Sequence, residues 1–194
     1  MASERPRPAF PALSAADRER IISGFNDNSQ AYFGGYLGFR CVDLAPGWAR
    51  LEVENRTALM NPVGVMHGGA SFGLADSAVA AALMTIYGIG THALLTIEMK
   101  INYLEPIPAG LVAAEATVLR ASRRSAYAEA HAKQICGRVH PADGAVPCVI
   151  CSQCGYDAGR GTSKIALTIM QWRLRRRVGL RFTRARWGQD GRRA

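Results

Sequence analysis

The sequence lacks an apolar run that suits a membrane span. Its longest apolar segment, Ala70–Tyr87, contains Asp76 together with several glycine, serine and threonine residues, whereas a spanning helix is predominantly apolar over about 20 residues. Residues 1–11 are rich in proline, arginine and glutamate and contain no apolar core of a secretory signal. We therefore predict a cytoplasmic protein without a transmembrane helix.

Cysteine is sparse and odd in number, with five residues in the chain. A secreted disulfide framework uses cysteine in even numbers, so we expect reduced thiols. Four cysteines cluster late, at Cys136, Cys148, Cys151 and Cys154. With His131 or His140 they raise the alternative of a tetrahedral zinc site. The late pairs overlap at Cys151 and do not form two separated knuckles, so we expect no metal.

Acidic residues are outnumbered, and the net charge of +9 predicts anionic partners. Much of the excess is local, because nine arginines lie between Arg173 and Arg193, interleaved with Trp172, Phe182 and Trp187. Such a tail makes binding to nucleic acid or an anionic membrane surface an alternative function. We expect the charge to describe the tail more than the domain.

The chain of 194 residues, 48% hydrophobic, is long enough to bury one sizeable core. We predict a leader and short helix over residues 1–30, one catalytic domain over 31–136, and a divergent segment rich in cysteine and arginine over 137–194. Within the leader, apolar residues recur at helical spacing over Leu13–Phe25, and Ser14 is the expected N-cap.

Hydrophobic periodicity predicts antiparallel strands around one long helix. Two strands are expected between Gly38 and Glu54, joined by a turn at residues 45–47. The segment His67–Tyr87 is apolar on nearly all sides, which is typical of a helix surrounded by protein. Half-buried strands are expected where apolar and polar residues alternate, over 97–103, 114–118 and 126–133. The layout is α+β, with a curved sheet wrapped around a central helix.

Asp76 is the most informative residue, because an aspartate in an apolar helix is costly to bury unless it is paired or needed. The alternative without a function is that Asp76 faces a solvent-filled groove or caps a neighbouring loop. Upstream, the segment Asn61–Gly69 leads through a glycine turn into the start of the same helix. Free backbone N–H groups and the positive end of the helix dipole make such a terminus suitable for a polarised carbonyl.

The pattern resembles the PaaI-type, phenylacetate-degradation branch of the hotdog-fold acyl-CoA thioesterases, over roughly Gly34–Ile135. The matching positions are Asn61, Gly64, His67, Gly68, Gly69, Leu74, Asp76, Ala78, Thr96, Asn102, Tyr103, Pro106 and Gly110. The family closes its sheet with a further strand, for which this chain offers only Val146–Cys151, interrupted by Pro147.

The resemblance implies a role for each site residue. Asp76 is implied as the general base or nucleophile, and either water activation or direct attack fits the residues. Asn61 and Gly68 would polarise the thioester carbonyl, with His67 beside them, although His67 fits a structural role equally well. Thr96 would help to place the water or the acyl group.

Spacing predicts self-association without the resemblance. Gly68 and Asp76 are eight positions apart, which is about 12 Å along a helix, so the two cannot act on one carbonyl. We expect a homodimer, or a dimer of dimers, in which one chain supplies Asn61, His67 and Gly68 and the other supplies Asp76 and Thr96.

Coenzyme A would be part of the substrate, so no separate cofactor is expected. Arg123 and Arg124 are candidates for binding its phosphates, because arginine forms bidentate hydrogen bonds with phosphate. A solvated charged hairpin is the alternative for this turn. A non-catalytic acyl-CoA-binding module is the alternative function on the same fold.

Overall fold

The structure is a computed structural model that describes residues 9–29, 31–89, 94–135 and 168–172, the last range by its backbone alone. The helices are α1 (Ala15–Ser29), α2 (Phe33–Leu37) and α3 (Gly68–Tyr87), with a short 3-10 turn at Thr57–Leu59. The strands are β1 (Arg40–Ala45), β2 (Trp48–Asn55), β3 (Thr96–Lys100), β4 (Gly110–Ala121), β5 (Ala126–Gln134) and β6 (Thr168–Trp172). The late cysteine cluster, the candidate strand Val146–Cys151 and the arginines from Arg173 onward lie outside the described residues.

Four strands form an antiparallel sheet in the order β1-β2-β4-β5. The expected alternation is confirmed on β4 and β5, where small residues occupy the buried face and pair in register, as at Ala114↔Ala132 and Ala116↔Ala130. These alanines let α3 lie close against the sheet, which buries Leu74, Val79 and Leu83 completely. The arrangement is the expected α+β hotdog fold, a sheet wrapped around one long helix.

Helix α3 is the centre of the core. From the sequence we expected no segment apolar enough to span a membrane, but α3 meets that criterion. Its 20 residues are long and apolar enough to cross a membrane by those criteria alone. More than half of that stretch is nevertheless buried inside the protein, by contact with the sheet. We therefore describe α3 as the core helix of the domain.

The half-buried strand expected over residues 97–103 is present but shorter, and its apolar side is covered only in part. The strand β3 ends at Lys100, and its side chains are mostly exposed, with Ile97 at 52%. It lies outside the four-stranded sheet and pairs with β6, which was not predicted. Alternation identified the strand, and its apolar side is covered in part, at Met99 and Ile101, which pack against the core.

Helix α1 is fastened to β1 by polar contacts. Ser14 is its N-cap as expected, because the Ser14 hydroxyl oxygen accepts a hydrogen bond from the Asp17 N–H at 3.0 Å. The Arg18 guanidinium bonds the Asp43 carboxylate at 2.6 Å. Beneath the helix, burial raises the pKa of the Cys41 thiol to about 12, so this free cysteine is protonated and unreactive at neutral pH.

Asn55, at the end of β2, ties the sheet to the loop that precedes β4. Its side-chain amide donates to the carbonyl of Pro108 at 2.8 Å and to that of Ile107 at 3.3 Å. Asn55 is 1% exposed, and its Oδ1 has no partner among the described residues. The Ile107 carbonyl also accepts from the Met66 N–H at 2.7 Å, so the clamp joins two loops near the start of α3.

Replacing Asn55 with alanine is expected to destabilise the protein by about 1–3 kcal/mol, because it removes two hydrogen bonds of a buried side chain, each worth about 0.5–1.5 kcal/mol. Urea unfolding followed by circular dichroism measures the change. Gln134→Ala is the matched control, since Gln134 donates to the neighbouring Ala109 carbonyl at 2.7 Å from an exposed position. The control should lose less than about 0.5 kcal/mol, and equal losses in the two variants would contradict the clamp.

Candidate active site

The first turn of α3 leaves one backbone donor unused. The Gly69 N–H bonds the Nδ1 of His67 at 2.9 Å, and the N–H groups of Ala70 and Ser71 bond the His67 carbonyl. The Gly68 N–H has no acceptor within the described residues. It is therefore the donor that the positive end of the helix presents to an incoming carbonyl.

His67 has a structural part in this turn. It is the N-cap of α3, and its Nδ1 accepts a hydrogen bond, which places the proton of the neutral ring on Nε2. This is the structural alternative considered from the sequence. A direct part of His67 in chemistry stays a prediction.

Asn61 organises the loop that leads into α3. Its side-chain oxygen accepts from the N–H groups of Val63 at 3.1 Å and Val65 at 3.3 Å. Gly64 closes the turn with φ 84°, a conformation that favours glycine. Because the oxygen is bound inward, the amide nitrogen of Asn61 is the part of the side chain left to donate to a ligand.

A cavity of about 600 Å³ lies beside this loop and the helix start. Tyr103 covers one side, and its hydroxyl donates to the Gly68 carbonyl at 2.9 Å. A Cβ at position 68 would lie 2.9 Å from that hydroxyl oxygen, so only glycine allows the contact. The cavity is lined by Asn61, Val65, Met66, His67, Gly68, Gly69, Ser71, Tyr103, Leu104, Glu105, Pro106 and Ile107. The structure thus brings Asn61, His67 and Gly68 together, as predicted.

Asp76 and Thr96 form a second cluster in the same chain. The Thr96 hydroxyl donates to Asp76 Oδ1 at 2.7 Å. Burial raises the pKa of the half-buried Asp76 carboxyl above its ordinary value, and the Thr96 hydrogen bond offsets part of the rise. A carboxylate with a raised pKa is a stronger base than a solvated one.

The two clusters do not meet within one chain. Gly68 and Asp76 lie on the same unbroken helix, about 12 Å apart along its axis, and Asp76 does not line the cavity. Arg123 and Arg124 are exposed on the turn between β4 and β5. The hydroxyl of Tyr87, at the C-terminal end of α3, donates to the Ser122 carbonyl in this turn. Their proposed contact with phosphate stays a prediction.

Two contacts could not be inferred from the sequence. They are the hydrogen bond of Tyr103 to the Gly68 carbonyl and those that the Asn61 side-chain oxygen accepts from its own loop. Tyr103 is one of the positions that match the PaaI-type family, but the resemblance implies no role for it. Its contact spans 35 residues of sequence, so local periodicity could not reveal it. In the described ranges, no group of three or more His, Cys, Asp or Glu side chains is arranged to hold a metal. The late cysteines of the zinc alternative lie outside those ranges.

Replacing Asp76 with asparagine is expected to stabilise the protein at neutral pH. A carboxyl whose pKa is raised by folding stabilises the native state fully below its unfolded pKa of about 3.9, and that contribution is lost as the pH rises through the folded pKa. Asparagine has no charge to bury and can still accept the Thr96 hydrogen bond. Melting temperatures measured by calorimetry should therefore be higher for the variant at neutral pH and should converge with wild type in acid.

The control for this titration is Glu54→Gln, because Glu54 is exposed on β2. It should change the melting temperature little at either pH. A stabilisation by Asp76→Asn that is equally large in acid would contradict the electrostatic cause.

A model of the thioesterase superfamily matches residues 63–139 of the chain. The chain is 32% identical over 92 residues to the candidate esterase ComA2 of Bacillus subtilis, a match that covers 47% of this chain and 67% of that protein. Among solved structures it resembles a mutant of the phenylacetic acid degradation protein PaaI of Thermus thermophilus, with 27% identity and a TM-score of 0.51 over 74% of this chain and 97% of that one.

The E. coli PaaI protein, from the phenylacetic acid degradation operon, shares the fold. It has 17% identity and a TM-score of 0.60, over 82% of this chain and 94% of that one. The two solved structures support the fold, and the sequence matches support the family. The chain therefore belongs to the thioesterase superfamily, as a PaaI-type hotdog protein.

Proposed function

We propose that the protein hydrolyses an aryl- or fatty-acyl-CoA thioester to the free acid and coenzyme A, with Asp76 as general base or nucleophile. The observation that carries the proposal is the Asp76 carboxylate, half-buried, held by Thr96 and raised in pKa. The unused Gly68 N–H supplies the complementary electrophilic donor. Membership of the thioesterase superfamily supports the reaction class.

The chemistry follows from the charges that develop on the thioester. The Gly68 N–H and the Asn61 amide nitrogen would bind the carbonyl oxygen, where negative charge accumulates in the transition state. Asp76 would take a proton from water as the water oxygen attacks the acyl carbon. The tetrahedral intermediate then expels the coenzyme A thiolate, which takes up the proton that Asp76 accepted from water. Direct attack by Asp76, through an anhydride that water cleaves, fits the same residues.

The active site is proposed to form between two copies of the chain. Thr96 bonds Asp76 and Tyr103 bonds Gly68, so the segment of residues 95–104 borders both clusters. This segment exposes large apolar side chains at Leu95, Ile97, Tyr103 and Leu104. Such a patch is typical of an interaction surface. In a two-fold dimer each of two sites would combine Gly68 of one protomer with Asp76 of the other.

Three further expectations belong to the proposal. Arg123 and Arg124 would bind the coenzyme A phosphates, and no cofactor beyond the substrate would be needed. Association of two dimers into a tetramer is compatible with the same site. The cytoplasmic location stays a prediction from the sequence.

Release of free thiol from a panel of acyl-CoA substrates tests the reaction. Asp76→Asn is expected to lower kcat by at least about 100-fold, which is the usual contribution of general acid–base catalysis. Glu54→Gln should retain wild-type activity. If the purified protein binds acyl-CoA but neither wild type nor Asp76→Asn releases thiol, the protein is a binding module and the hydrolase proposal is wrong.

Mixing two inactive variants tests the shared site. Asn61→Asp keeps the oxygen that accepts from Val63 and Val65 but removes the amide donor, whereas Asp76→Asn removes the base. Co-expressed chains should recover about a quarter of wild-type activity, because half of the dimers are mixed and each contains one intact site. Each variant expressed alone should stay inactive. No recovery in verified mixed dimers would show that each site is built from one chain.

A further inference from the structure

The short helix α2 lies against α3 at Gly73. A Cβ at position 73 would stand 2.8 Å from Cε1 of Phe33 and 3.5 Å from Cε2 of Phe39. Gly73 therefore allows the Phe33 ring to touch the backbone of α3. Because α2 covers it, Gly73 is buried, although Asp76 and Ala80, which follow at three-residue and seven-residue spacing, are half-exposed.

This contact is adjacent to the Asp76 carboxylate. Residues three apart on a helix are neighbours, with about 5–6 Å between their Cβ atoms. A helical side chain also points back over the turn that precedes its own Cα. The Asp76 side chain therefore extends over the Phe72–Gly73 turn, which is the turn that Phe33 covers.

The Phe33 ring is anchored on one side and open on the other. It packs edge-to-face on Phe39, with ring centroids 6.3 Å apart and an interplanar angle of 85°. Phe39 is 1% exposed, whereas Phe33 is 62% exposed. Gly38 ends α2 with φ 85°, and its N–H and that of Phe39 bond back to α2 carbonyls. An apolar surface is thus held beside the carboxylate by a fixed turn.

We propose that Phe33 is a specificity-determining residue whose open ring forms the wall of the acyl site next to Asp76. An acyl group whose carbonyl carbon is within reach of Asp76 would pack its apolar body on this ring. The site then favours acyl groups with a large apolar body over acetyl. Gly73 sets the depth of the wall, since a larger residue would push the ring outward. The inference rests on the proposed thioesterase function.

The test is the ratio of kcat/KM for phenylacetyl-CoA to kcat/KM for acetyl-CoA. Phe33→Ala should lower this ratio about tenfold or more, because only phenylacetyl-CoA buries apolar surface against the Phe33 ring and loses that contact in the variant. Its activity on acetyl-CoA should fall much less than its activity on phenylacetyl-CoA, because an acetyl group is too small to cover the ring. Phe33→Leu should fall between the two. The control is Tyr36→Ala, on the same helix and 80% exposed, which should leave the ratio unchanged.

Gly73→Ala gives an independent arm. Its methyl group meets the far end of the Phe33 side chain, so it should change the ratio in wild type and leave it unchanged in Phe33→Ala. A merely structural contact would lower activity on both substrates together. Equal losses on the two substrates, an unchanged ratio in Phe33→Ala, or an equal change in Tyr36→Ala would each overturn the inference.

Failure of the proposed function is distinguishable from failure of the wall. Asp76→Asn should abolish turnover of both substrates and leave the binding preference intact. If wild type releases no thiol, the same ratio is read from dissociation constants of the phenylacetonyl and acetonyl thioethers of CoA, which keep the two acyl groups but have a methylene before the sulfur and cannot be hydrolysed. If Phe33→Ala does not change the ratio of the two dissociation constants, the inference that Phe33 forms the wall of the acyl site is wrong as well.

Discussion

The structure depends on the rigidity of one helix that carries two chemical groups at fixed separation. The unused Gly68 N–H stands at its start, and the Asp76 carboxylate stands about two turns further on, roughly 12 Å away. Packing against the alanine-rich sheet prevents the helix from bending to bring them together. We therefore propose that each group is half of a site and that a second copy of the chain supplies the other half.

Each half is stabilised by contacts that do not belong to the proposed chemistry. Asn55 holds the Ile107–Pro108 backbone, which in turn holds the loop before α3. Tyr103 fastens the first helical turn through the Gly68 carbonyl. Asp76 is the exception, because its burial opposes ionisation and lowers stability at neutral pH. Such a cost is common where a side chain is retained for function.

Most of the fold could be predicted from sequence, whereas the roles of the site residues stay a prediction. Alternation identified β2, β4 and β5, and the apolar segment up to Tyr87 identified α3, because these patterns record burial within one chain. The apolar side of residues 97–103 was expected to be half-buried along its length, but Ile97 and Tyr103 are exposed and only Met99 and Ile101 pack against the core of the single chain. Tyr103 and Asn55 were missed as positioning residues, and the contact of Phe33 with Gly73 was also missed, because these contacts are distant in sequence and leave no periodic signal.

A crystal structure with a non-hydrolysable acyl-CoA thioether bound tests the central claim most directly. The account predicts that the ketone oxygen of the ligand lies within about 3 Å of the Gly68 N–H of one protomer, with the Asp76 carboxylate of the other protomer facing the carbonyl carbon. A ligand whose carbonyl is contacted by one chain alone, or lies far from every Asp76, would contradict it.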